Sequence, residues 1–76
     1  MSMYESREEI RITLAKNSLS NVWLVNQLSK KGIPTNSSTL SAAITGKRGG
    51  EQSEMLIGEA LKIVREYEAK MNDGRN

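Results

Sequence analysis

The residues of this 76-residue chain best suited to gripping another molecule are cations, and they stand where carboxylates are missing. Between Ile10 and Gly50 there is no Asp or Glu, while Arg11, Lys16, Lys30, Lys31, Lys47 and Arg48 supply six positive charges. The net charge of +2 conceals this, because residues 1–9 and 51–76 are each net negative by two. A cationic surface free of carboxylates attracts polyanions, nucleic acid above all. Catalysis finds no comparable inventory. There is no His and no Cys, the one Asp is Asp73, and the many serines lack a neighbouring base. Gly46-Lys47 is not a phosphate-binding P-loop, since Ser41 stands where the first glycine belongs and Arg48 where Ser or Thr belongs. The expectation is a protein that is not an enzyme and carries no cofactor or metal.

Those cations need elements to hold them, and the apolar spacing supplies helices throughout. Ser6-Arg7-Glu8-Glu9 fits a capping box, so a first helix is expected from about residue 7 to 16 with Ile10 and Leu14 inward and Ile12 off the stripe. Ser20 is the expected N-cap of a second helix over about 21–31, with Leu19 as a hydrophobic staple, Leu24, Val25 and Leu28 inward, and Gly32 as the stop. Pro34 keeps the connection out of helical geometry. Asn36, Ser37 or Ser38 then caps a third helix over about 37–45, with Leu40, Ala43 and Ile44 inward and Gly46 closing it. Lys47-Arg48-Gly49-Gly50 reads as a flexible basic loop. A fourth helix over about 52–71 carries a wide apolar stripe of Leu56, Ile57, Ala60, Leu61, Ile63, Val64, Tyr67 and Met71, with Gly58 on its far side and a frayed tail over 72–76. The fold class is therefore all-α: a small four-helix bundle in one domain, residues 1–76, with a helix-turn-helix and a long C-terminal helix.

Leu19-Ser20-Asn21, Leu24-Val25, Leu28 and the run Thr39-Leu40-Ser41-Ala42-Ala43-Ile44-Thr45-Gly46-Lys47-Arg48 together resemble the Cro/repressor-type helix-turn-helix family of temperate phages and their bacterial relatives. The resemblance covers about Ile10 to Arg48. It implies an operator-binding regulator whose third helix enters the major groove. The chain departs from the pattern twice. Its segment between Leu28 and Leu40 is longer than the family's usual turn, and the outer face of the third helix offers Ser37, Ser38, Ser41, Ala42 and Thr45 where Gln, Asn or Arg would read bases.

The resemblance leaves two readings. In the first, the chain binds double-stranded DNA. Phosphate contacts from Asn21, Lys30, Lys31, Lys47 and Arg48 outweigh base contacts from Asn36, Ser37, Ser38, Ser41, Ala42 and Thr45, because hydroxyls and methyls discriminate less than a bidentate pair worth about 1–3 kcal/mol. Six engaged cations would give a log–log salt slope of about −5 per subunit. In the second, an antirepressor uses the same fold to bind a partner repressor through Val22, Trp23, Asn26, Ser38 and Ala42. Trp23 lies off the core stripe, either packed on the fourth helix or presented as an anchor of the kind that dominates protein interfaces. Val64, Tyr67 and Met71 are candidates for a homodimer seam matching two half-sites. Without Cys, and without a membrane-length apolar run or a signal peptide, the expected setting is the cytoplasm of a bacterial host.

Overall fold

Two consecutive Ser-x-x-Glu boxes, Ser2–Glu5 and Ser6–Glu9, compete to start the first helix, and burial decides between them. The computed structural model describes residues 2–74, with side chains through Asn72. Helix α1 spans Met3–Lys16 and begins four residues earlier than the Ser6 box predicts. Its cap is Ser2, whose Oγ accepts from the Glu5 amide at 3.1 Å and donates to the Glu5 carboxylate at 3.2 Å. Ser6 is instead 7% exposed, one turn below Ile10 on the inward side. Glu9, thereby released from capping, receives two bonds from the Arg65 guanidinium, from Nε at 2.7 Å and Nη2 at 2.9 Å. The helix ends through Ser18, a non-glycine residue at φ 55°, which lets the Leu19 amide donate to Leu14 O at 2.8 Å.

The next two helices follow their local signals closely. Helix α2, Asn21–Lys30, is capped by Ser20 accepting from the Trp23 amide at 3.2 Å. It closes in a Schellman pair, with Gly32 at φ 80° donating to Ser29 O and Ile33 donating to Leu28 O at 2.9 Å. Helix α3, Ser37–Thr45, has Asn36 as its cap, the Oδ1 accepting from the Thr39 amide at 2.8 Å. Helix α4, Glu51–Gly74, extends past the expected end at Met71, so residues 72–74 of the expected frayed tail are helical; residues 75–76 lie outside the described residues. At 1.5 Å per residue its 24 residues span about 36 Å, which sets the 40 Å long dimension of the molecule.

The architecture is all-α, four helices around one buried cluster: Ile10 and Leu14 from α1, Leu24 and Leu28 from α2, Leu40, Ala43 and Ile44 from α3, and Leu56, Ile57, Ala60, Ile63 and Val64 from α4. Each fully buried aliphatic side chain contributes about 1.5–3 kcal/mol, so the four stripes hold the helices together far more strongly than helix propensity does. Val25 and Leu61 pack on this cluster only in part, and Met71, expected on the buried stripe, is 40% exposed. Ile12 points outward. α1 packs chiefly on α4, and acids there take up cations. Glu68 receives Lys16 at 3.1 Å and the Asn17 amide at 3.2 Å, and Arg11 pairs with Glu8. No helix among the described residues is long and apolar enough to cross a membrane.

Candidate functional site

The outward side of α3 carries the residues that the pattern places there, and their packing makes a shallow open groove. Ser38, Ser41, Ala42, Thr45 and Lys47 line it together. The reason is helical geometry. Leu40, Ala43 and Ile44 turn into the core, which leaves the i, i+3, i+4 and i+7 positions from Ser38 on the opposite face. All four side chains there are small, so the groove floor is close to the backbone. No carboxylate lines it. Ser37 is exposed at the helix entry.

Lys47 and Arg48 do not form a loose loop as expected. The amides of both donate to Ala42 O, at 3.0 and 3.2 Å, while Gly46 at φ 82° donates to Ala43 O. This closure pins the first two loop residues to the end of α3, because the left-handed glycine turns the chain back over the last carbonyls. The two side chains then part. Lys47 borders the α3 groove, whereas Arg48 borders a separate cavity under the α2–α3 connection.

A third cation joins this end of α3, and the sequence reading did not select it. A Cβ on Gly46 would lie 3.4 Å from the Arg7 guanidinium, so Arg7 reaches across from α1 to the C-terminal end of α3. A cation there complements the negative end of the helix dipole. The signal was present in the spacing. Arg7, Ile10 and Leu14 fall at i, i+3 and i+7, so an arginine one turn before the buried isoleucine must lie beside the core and reach past it.

The remaining candidates divide. Lys30 is exposed with no carboxylate partner among the described residues, but Lys31 pairs with Glu66 of α4 at 3.5 Å. Asn21 is half-buried in the first turn of α2. Asn36 is exposed, yet its Oδ1 is occupied by the cap, which removes the acceptor that a bidentate contact with adenine requires. The Thr45 hydroxyl donates to Ser41 O at 2.9 Å, so this side chain offers the groove its methyl more readily than its proton.

The second candidate set is only partly free. Trp23 packs edge-on against Tyr67 of α4, with ring centroids 5.3 Å apart at 74°, and is half-buried. Beside it Val22 is 58% exposed, and Asn26 is exposed one turn on. Of the three residues expected at a dimer seam, Val64 is enclosed in the core and Tyr67 is engaged by Trp23, leaving Met71 accessible.

Comparison of the chain with known protein families, with curated proteins and with solved structures returned no match.

Proposed function

We propose that this chain is a small transcriptional regulator that binds double-stranded DNA, laying the outer face of α3 in the major groove with Lys47, Arg48 and Arg7 on flanking phosphates. α2 and α3 then act as a helix-turn-helix. The observation that carries this reading is the distribution of charge. Arg11, Lys16, Lys31, Lys62 and Arg65 are matched by glutamates, whereas Arg7, Lys47 and Arg48 gather around the end of α3 with no carboxylate partner among the described residues. Cations held beside a carboxylate-free groove are available to phosphates without first breaking a pair. The small side chains of the groove let the helix backbone approach base edges closely. They also limit discrimination, so backbone contacts dominate affinity. Three phosphate contacts give a salt slope of about −3 per subunit instead of the −5 that six cations would produce.

The test is enrichment of bound duplexes from a random pool, followed by anisotropy with the chain and with the double variant Lys47→Glu/Arg48→Glu. The expected result is a loss of at least about 100-fold, near 2.7 kcal/mol, with an unchanged circular dichroism spectrum. No enrichment, or equal affinity of the variant, sinks the reading.

A second reading draws on the exposure of Val22 beside the half-buried Trp23. In it the chain is an antirepressor that covers a repressor's DNA-contacting surface with Val22, Trp23, Asn26, Ser38 and Ala42. Val22→Glu would then abolish partner binding while leaving affinity for DNA unchanged. The packing of Trp23 on Tyr67 leaves less of that ring for a partner and favours the first reading.

A further inference from the structure

Between the α2–α3 connection and the start of α4 lies a cavity of about 120 Å³, lined by apolar side chains that include Ile33, Met55 and Leu56 and by the polar Thr35, Ser53 and Arg48. We infer that this cavity binds a small carboxylate with a short aliphatic tail. The inference draws nothing from the α3 groove and shares only Arg48 with the DNA reading.

Four features converge. The volume approaches that of the ~150 Å³ cavities that admit a benzene-sized molecule, and the walls supply both apolar and polar side chains. The Thr35 Oγ1 is closed to solvent and has no hydrogen-bond partner among the described residues, which is rare for a buried hydroxyl and marks a position where a partner is missing. Ser53 is 8% exposed, lines the cavity, and makes no side-chain hydrogen bond among the described residues. Arg48 at the rim supplies the only guanidinium in the lining and has no carboxylate partner among the described residues.

The start of α4 adds to these. Helices α1, α2 and α3 each have a side chain accepting from their first turn, namely Ser2, Ser20 and Asn36. The residue before α4 is Gly50, which has none to offer, so the amides of Gln52 and Ser53, both residues of the lining, remain as donors. Donors of that kind, two hydroxyls and a guanidinium suit a carboxylate, while Leu56, Met55 and Ile33 suit two to four methylenes. Glu51 and Glu54 are exposed and outside the lining, so they weaken anion binding through solvent without blocking the cavity.

The test is a ¹H–¹⁵N titration of the full chain with butyrate, with butylamine and inorganic phosphate as comparison probes, repeated on Arg48→Gln. Arg48 is exposed, so the variant keeps its fold and its amide dispersion verifies this. Saturable shifts at Thr35, Gln52 and Ser53 are expected with butyrate, with a Kd on the order of 1 mM. They should weaken at least about fivefold in Arg48→Gln, a size suited to losing one charge-assisted pair, and be absent with butylamine. No saturable shift, an equal response to butylamine, or an unchanged Kd in the variant overturns the inference. Tighter binding of phosphate than of butyrate overturns the assignment of an aliphatic tail.

Discussion

The side of the molecule where α1 crosses α4 and the side formed by α3 with its following loop treat the same residue types in opposite ways. On the first, cations are matched: Arg65 forks onto Glu9, Lys16 meets Glu68, and Arg11 meets Glu8. On the second, Lys47 borders a groove of small hydroxylated and methylated side chains that no carboxylate lines, with Arg7 beside Gly46 at the same end of α3. Exposed ion pairs contribute little stability each. What pairing does is remove positive potential from that side, while Lys47 and Arg7 at the end of α3 keep theirs. A net charge of +2 therefore says less about partners than the placement of its neutralising acids.

The largest expected effect that would sharpen this contrast lies on the scaffold. Trp23→Ala removes a ring packed edge-on against Tyr67 and should lower stability by about 2 kcal/mol, less than the 3–5 kcal/mol of a fully buried aromatic. Chemical denaturation checks it, and an unchanged midpoint would mean that the ring is free to serve as an anchor. Next come two glycines at which the same substitution should have opposite signs. Gly46→Ala places a Cβ at φ 82°, a left-handed conformation costly for any side chain, so a loss of about 1–2 kcal/mol is expected; the Arg7 guanidinium at 3.4 Å is an ordinary contact and adds nothing to it. Gly58→Ala, in the middle of α4 with nothing within 4 Å of the new Cβ, should gain up to about 1 kcal/mol. Thermal melts of both variants decide this, and a gain at Gly46 would break the contrast.

The smallest effect concerns acid. Hydrogen bonds from Arg65 hold the Glu9 carboxyl below its usual range, with partial burial opposing them. A depressed folded-state value means that the unfolded chain binds more protons in acid. The contribution of Glu9 is thus full at neutral pH and lost as pH falls through that lowered value. Glu9→Gln should lower the melting temperature slightly at pH 7 and leave it unchanged at the acid end, where both forms are neutral. A loss of equal size at every pH would show that the pair is not the cause.

Local signals in the sequence determine the helix ends most reliably. Asn36, Gly46, Ser20 and Gly32 act on amides and carbonyls within a few residues, so α3 spans 37–45 and α2 starts at 21 as the residues alone predict. The inward stripes are equally legible, because a period of 3.6 residues leaves little choice about which side faces the core. Local chemistry fails where it is degenerate or where a long side chain reaches another element. Ser2-x-x-Glu5 and Ser6-x-x-Glu9 are equivalent as capping boxes, and only the burial of Ser6 and the pull of Arg65 on Glu9 separate them. Tertiary packing alone brings Arg7 over Gly46, turns Trp23 onto Tyr67, matches Lys31 with Glu66, and sends adjacent Lys47 and Arg48 to different hollows. Backbone spacing constrains where a Cβ points, but a side chain several bonds long settles according to which partner or open space lies within its reach, and that depends on the other helices.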